Sequence, residues 1–245
     1  MIKRIAAVIV LDSDLVVNAY KFKWHLPVGD LRYTLERLQE LRVDEVVILN
    51  SSHSNAPNVD FKKIYSDFDS WHISTPIAYG GGINLLSQAR EIIKGGADRL
   101  VLSAKILLND RALGEFGDLF GEQALILHLP VYLKNSQLQI LNINNVSLEA
   151  MIKNIPEHWG GEVMFSVVES DGAKNPDWDI LNSCRKFLGN TRKAIFSSGF
   201  SQPKDILLGL KIEGVQAIAI GNYLHRTEVS ITIIKDAIKY EVQTR

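Results

Sequence analysis

Short runs of Val, Ile and Leu recur along the chain, each followed by a longer stretch whose apolar positions repeat every three or four residues. This alternation predicts parallel βα units, with strands covered on both faces and helices covered on one. Eight strands are predicted: Arg4–Val10, Glu45–Leu49, Pro76–Tyr79, Arg99–Leu102, Ala124–Leu129, Glu162–Val168, Ala194–Ser197 and Ala217–Ile220. Helical spacing marks LRYTLERLQELRV (31–43), INLLSQAREIIKGG (83–96) and PKDILLGLKIEG (203–214), and Gly96 and Gly214 are expected as left-handed caps. No linker-like, low-complexity or charge-run segment interrupts the series. The expected fold is a (β/α)8 TIM barrel in one domain over residues 1–245, a usual length for that architecture.

The pattern also repeats. Displaced by 118 positions, Ile77-Ala78-Tyr79-Gly80-Gly81-Gly82 falls on Ile195-Phe196-Ser197-Ser198-Gly199-Phe200, and Gly96-Ala97-Asp98 on Gly214-Val215-Gln216. The next strand ends, Leu102-Ser103-Ala104 and Ile220-Gly221-Asn222, coincide as well. Two half-barrels related by a pseudo-twofold produce such a pattern. Glycine at the carboxyl end of a barrel strand lets backbone amides approach an anion, and a following helix terminus adds a favourable dipole. Gly80, Gly81 and Gly82 with Ser103 and Ala104 are expected to form one phosphate cradle, and Ser198 and Gly199 with Gly221 and Asn222 the other. Either segment alone reads more readily as a backbone necessity of a βα turn. Two cradles at one mouth imply a ligand with a phosphate at each end.

Composition narrows the function classes. The chain is 46% hydrophobic and 22% charged with a formal net charge of −1, which argues for an ordinary globular protein and against a general nucleic-acid binder. The opening MIKRIAAVIVLDSD reads as a first strand, because acidic residues follow the apolar run at once and no small-residue cleavage site appears. No membrane span is expected. The lone Cys184 points to the reducing cytoplasm and to a packed apolar role. Histidines 25, 53, 72, 158 and 225 show no metal-ligand spacing, and no Ser-His-Asp set or Walker-type loop is visible, so neither metal nor cofactor is expected.

The segments KRIAAVIV, VDEVVIL, PIAYGGGI, GGADRLVLSA, GEQALIL, GGEVMFSVVESDGAKNPDWD, FSSGFS and AIAIGNYLHR occur in the order and near the spacing of a known family. Over nearly its whole length the chain resembles the cyclase subunit of imidazole glycerol phosphate synthase and its barrel relatives in histidine biosynthesis. The resemblance implies a bisphosphate substrate in the two cradles, with Gly172 of Asp171-Gly172 helping to hold one phosphate. It also implies ammonia delivered through the barrel by a glutaminase docked at the amino-terminal face. Arg4, Glu45, Arg99 and Glu162, each the first residue of a predicted strand, match the family's charged entrance, and Asp98 matches a residue that faces the glutaminase. Two pairs of opposite sign can neutralise one another at a constriction while admitting a small neutral molecule.

Departures from the family are concentrated at its chemistry. The two aspartates that the resemblance assigns to acid and base work align with Val10 and Pro130, neither of which moves a proton. Asp12 lies two residues further on, and with His128 and Asp171 it is a candidate for catalysis. His128 shares strand parity with Pro130 and should point into the barrel, as an acid or base or as a core histidine bonded to a hydroxyl. Asn18 replaces a lysine, Asn50 an aspartate, and Phe200 the second glycine of a cradle, which narrows that cradle. A kept entrance with lost aspartates, together with the tyrosine of PIAYGGGI and Val28-Gly29-Asp30, resembles cyclase-like paralogues found with surface-polysaccharide genes. In that group a glutaminase and an ATP-dependent amidotransferase accompany the barrel in converting an acetamido sugar to an acetamidino sugar. Three readings follow: an ammonia-delivering barrel of that kind, a true histidine cyclase, or a partner-binding scaffold.

Overall fold

The computed structural model describes residues 2–13, 15–51, 68–144, 146–225, 231–239 and 241–242. Its strands are β1 (Arg4–Asp12), β2 (Leu15–Tyr20), β3 (Trp24–Asp30), β4 (Glu45–Asn50), β5 (Ile77–Gly80), β6 (Arg99–Ser103), β7 (Leu125–Lys134), β8 (Gln137–Ile140), β9 (Glu162–Val167), β10 (Lys193–Ser197) and β11 (Val215–Ile220). Its α-helices are α1 (Leu31–Glu40), α2 (Leu86–Lys94), α3 (Ala112–Phe120), α4 (Leu148–Ile152), α5 (Trp178–Leu188), α6 (Pro203–Lys211) and α7 (Ile231–Ile238). Strands β1, β4, β5, β6, β7, β9, β10 and β11 pair in parallel in that order, and β11 returns to β1 with Arg4 opposite Ala217 and Ala7 opposite Ile220. The sheet is thus a closed eight-stranded TIM barrel, and each of the eight predicted strands falls on one of its staves.

Strand parity sorts the apolar residues into two cores. Ala6, Val47, Ala78, Val101, Ile126, Met164, Ile195, Ala217 and Ala219 form one cluster, the filling of the barrel. Their neighbours in sequence, such as Ile5, Ile48, Leu100, Phe165 and Ile218, belong to the larger layer shared with the helices. The helices begin where side chains supply the missing acceptors: Asp30 accepts from Tyr33 N at the start of α1, and Asp177 from Ile180 N at the start of α5. Gly96 and Gly214 both take positive φ, 104° and 78°, at equivalent points of the repeat. Among the described residues no helix is long and apolar enough to cross a membrane.

Two hairpins stand outside the predicted strands. β2 and β3 fold back antiparallel from the end of β1, with Asp12 opposite Leu15 and Ala19 opposite His25. β7 runs through Pro130 to Lys134 and turns at Asn135-Ser136, both at positive φ, into β8. Both hairpins rise at the carboxyl ends of barrel strands.

Candidate functional site

A cavity of about 650 Å³ opens at the carboxyl ends of the strands. Its wall includes Gly81, Ser103, Gly172, Ser198, Gly199, Gly221 and Asn222 of the expected cradles, and all three expected catalytic candidates, Asp12, His128 and Asp171. Val10 and Pro130 also line it, so the positions of the family aspartates face the cavity as aliphatic surface. Gly82 and Ala104 do not reach the wall. Ala104 begins a 3₁₀ turn (Ala104–Leu108) and is buried in the layer between barrel and helices.

The two cradles share a backbone device but place it differently. Gly81 and Gly199, equivalent in the repeat, have φ of 125° and 79°. A Cβ at Gly81 would sit 2.2 Å from Asn50 O, and one at Gly199 would sit 2.3 Å from Asn175 O, so neither position accepts a side chain. In the first half the left-handed pair is Gly81-Gly82, whereas in the second it is Ser198-Gly199, with Ser198 at φ 76°. The cause is Phe200. A bulky residue resists positive φ, so the pair moves one residue towards the amino terminus onto Ser198. The Phe200 ring is buried and meets Trp178 edge to face at 5.8 Å, next to Gly209 of α6. Phe200 contributes to the cavity wall while its ring packs into the outer core, which is how that cradle stays open.

The titratable groups of the mouth differ in environment. His128 Nε2 lies 2.9 Å from Ser166 Oγ, with the Phe22 ring 6.2 Å away, and burial lowers its pKa to about 4, so it is a neutral imidazole at pH 7. Burial pushes the Asp171 carboxyl up to about 6, against the opposing effects of the Phe22 N–H, which it accepts at 3.0 Å, and of nearby His25. Asp12 points to the cavity and its Oδ2 lies 2.7 Å from His25 Nδ1. Asn50 Nδ2 donates to the Tyr79 hydroxyl at 2.9 Å, which joins one departure from the family to the tyrosine of PIAYGGGI in a buried bond. Asn18 lies on β2 and its Oδ1 is buried without a hydrogen-bond partner.

At the opposite end, Arg4, Glu45, Arg99 and Glu162 line a depression of about 380 Å³ among the strand starts. Arg4 meets Glu162 at 2.5 Å and Glu45 at 3.6 Å, and Arg99 meets Glu45 at 2.8 Å and Glu162 at 2.7 Å. The four charges therefore form a closed cycle of ion pairs with alternating sign. Desolvation opposes ionisation of Glu162, yet the two guanidinium groups outweigh it and hold its carboxyl below the usual range. Asp98 is exposed beside this face, and its carboxylate accepts from Ile77 N at 2.8 Å, the same clasp that Asp44 makes to Ile5 N at 2.7 Å.

Sequence reasoning did not single out His25, Lys23 and Ser166 as wall residues. The first two arrive on the β2–β3 hairpin, and Ser166 stands opposite Pro130 in the β7–β9 pairing, diagonal to His128. Of the histidines without ligand spacing, His53 lies outside the described residues; among those residues no group of three or more His, Cys, Asp or Glu is placed to hold a metal ion.

Comparison with known proteins agrees with this architecture. The chain is 25% identical over 241 residues to a Campylobacter jejuni protein provisionally named imidazole glycerol phosphate synthase subunit hisF2, covering 96% of this chain and 94% of that one. It is 27% identical over 197 residues to imidazole glycerol phosphate synthase subunit HisF of Blochmanniella pennsylvanica, covering 75% and 76%. With the corresponding subunit of Pyrococcus furiosus the identity is 25% over 241 residues, covering 95% and 94%. The model of the histidine biosynthesis protein family matches residues 4–230, and the chain belongs to that family as a HisF-like barrel.

Proposed function

We propose that the chain is a barrel subunit, one domain over residues 1–245, that receives ammonia from a glutaminase docked on the amino-terminal face. The observation that carries this reading is the cycle formed by Arg4, Glu45, Arg99 and Glu162. Burying four ionic groups is costly unless they are mutually paired, and a neutral ring at the axis of the barrel suits passage of a neutral molecule better than of an ion. Behind it the interior of the barrel is apolar, and four of its nine buried residues are the small Ala6, Ala78, Ala217 and Ala219. Beyond that lies the mouth cavity, in which Gly81 with Ser103 and Ser198-Gly199 with Gly221 and Asn222 hold the phosphate groups of a small ligand, and Gly172 assists. Asp98 belongs to the docking face.

Within that reading, the substrate is an acetamido sugar of surface-polysaccharide synthesis, amidated in the cytoplasm to an acetamidino sugar by the barrel and glutaminase together with an ATP-dependent amidotransferase. Support comes from the aliphatic wall at Val10 and Pro130 and from the coupled Asn50–Tyr79 pair. The test is to mix the chain with its cognate glutaminase. A complex and faster glutamine hydrolysis are expected, and Arg99→Ala should separate hydrolysis from ammonia transfer. Absence of both complex and stimulation removes the ammonia reading. Growth of a histidine auxotroph lacking the cyclase, restored by this chain at ordinary expression, would replace the sugar reading with the cyclase one.

A further inference from the structure

Val10 and Pro130 cannot carry protons, yet the mouth still holds an imidazole in a fixed orientation. We propose that His25 is the proton-transfer residue of this cavity and that Asp12 is its positioning residue. The inference rests on the reading that ammonia is added to a ligand at the mouth.

Asp12 is the last residue of β1, two positions beyond Val10 and on the same face of the strand. Its Oδ2 lies 2.7 Å from His25 Nδ1. An ionised carboxylate only accepts, so Nδ1 carries the hydrogen and, in the neutral ring, the lone pair sits on Nε2. The hairpin register places His25 opposite Ala19, and both line the cavity. The turn that carries the hairpin is pinned across the mouth, because Asp171 accepts from Phe22 N at 3.0 Å through its side chain and from Lys21 N at 3.3 Å through its carbonyl. Lys21 and Phe22 hold φ of 53° and 56°, which non-glycine residues keep only where surrounding contacts impose it. Asp12 on β1 contacts the imidazole and Asp171 after β9 lies near it, while Lys23 in the turn and His128 on β7 line the same cavity. His128 is a poor competitor for the proton, since burial has removed most of its basicity.

The addition step balances without a further reactant; expulsion of the ligand's oxygen follows it and draws on activation by the ATP-dependent amidotransferase. Ammonia nitrogen bonds to the carbon of a C=O or C=N group of the ligand, and the π pair moves to the heteroatom. The nitrogen is then cationic, and its proton passes to His25 Nε2. His25 delivers that proton to the anionic heteroatom and returns to its starting state.

Two measurements test this. Imidazole ¹⁵N NMR of the wild-type chain at neutral pH should show His25 as the Nδ1–H tautomer, and Asp12→Asn should remove that bias. In permeabilised cells lacking the chain's own gene, ¹⁵N from ammonium chloride should enter product only when the chain is supplied, which bypasses the glutaminase. His25→Gln should lower that incorporation by at least about a hundredfold, the usual contribution of general acid–base catalysis. Its melting temperature and its stimulation of the glutaminase should remain those of the wild type, because His25 lies at the far end of the barrel. Incorporation retained by both His25→Gln and His25→Ala, or an Nε2–H tautomer, overturns the proposal alone. No chain-dependent incorporation with the wild type overturns the ammonia reading and this proposal with it.

Discussion

Replacing His128 with Gln should abolish an acid sensitivity that the wild-type protein conceals. Burial holds the folded imidazole near a pKa of about 4, against 6.5 when exposed. As pH falls below 6.5 the unfolded chain takes up a proton here that the folded protein refuses until about 4, so stability present above 6.5 is lost through that window. Between about pH 7.5 and pH 4.5 this linkage amounts to about 2.5 kcal/mol. Asp171 acts in the opposite sense. Its folded pKa of about 6 exceeds the ordinary 3.8, so stability present below 3.8 is lost as pH rises through 6. Over the same interval acidification restores about 2 kcal/mol. The two groups nearly cancel, and each single variant unmasks the other. Urea unfolding of wild type, His128→Gln and Asp171→Asn at the two pH values measures the difference. Going to low pH, His128→Gln should gain about 2.5 kcal/mol relative to wild type and Asp171→Asn should lose about 2 kcal/mol, while the lost Ser166 contact adds an offset that pH leaves alone. A wild-type-to-His128→Gln gap that stays constant with pH would refute the claim that burial keeps this ring neutral.

Other perturbations have equally definite outcomes. Arg99→Met leaves Glu45 and Glu162 sharing Arg4 and should cost about 2–4 kcal/mol, read as a fall in Tm of roughly 5–15 °C. Adding Glu45→Gln to that variant should recover most of the loss. Gly199→Ala, forced to positive φ with its Cβ against Asn175 O, should destabilise by more than about 2 kcal/mol in denaturant titration. Gly114→Ala, within α3 and with nothing near its added Cβ, should stabilise by roughly 0.5–1 kcal/mol in the same assay.

The barrel was legible because its staves are buried on both sides. Burial writes each of them as an apolar run, from Glu45–Asn50 to Val215–Ile220, with ends within two residues of those predicted except at β7, which continues five residues further to Lys134. The β2–β3 hairpin was not legible for the converse reason. Trp24 to Val28 are exposed throughout, so no inward–outward alternation exists to be read, and the turn at Lys21-Phe22 uses left-handed residues that are neither Gly nor Asn. The second hairpin carries a turn signal at Asn135-Ser136, but β7 reaches it only by continuing through Pro130, a residue that weakens a strand pattern. At the site, the glycines were visible because only glycine fits where Gly81 and Gly199 stand. His25 was invisible because its position depends on the unread hairpin, and the shift of the left-handed pair onto Ser198 follows from packing of Phe200 that no local pattern encodes.

The alternating ring at the strand starts also governs what the amino-terminal face projects into solution. Plus, minus, plus and minus around a closed circuit cancel both net charge and dipole, leaving a quadrupole whose field dies away within a few ångströms. The ring itself therefore neither attracts nor repels a charged molecule from a distance, whatever the salt concentration. Removing any one of the four charges turns the quadrupole into a bare monopole, felt across a full Debye length. Substitution at a single ring position therefore gives the ring a long-range field, whereas removing adjacent opposite charges together leaves no net charge and only a short dipole.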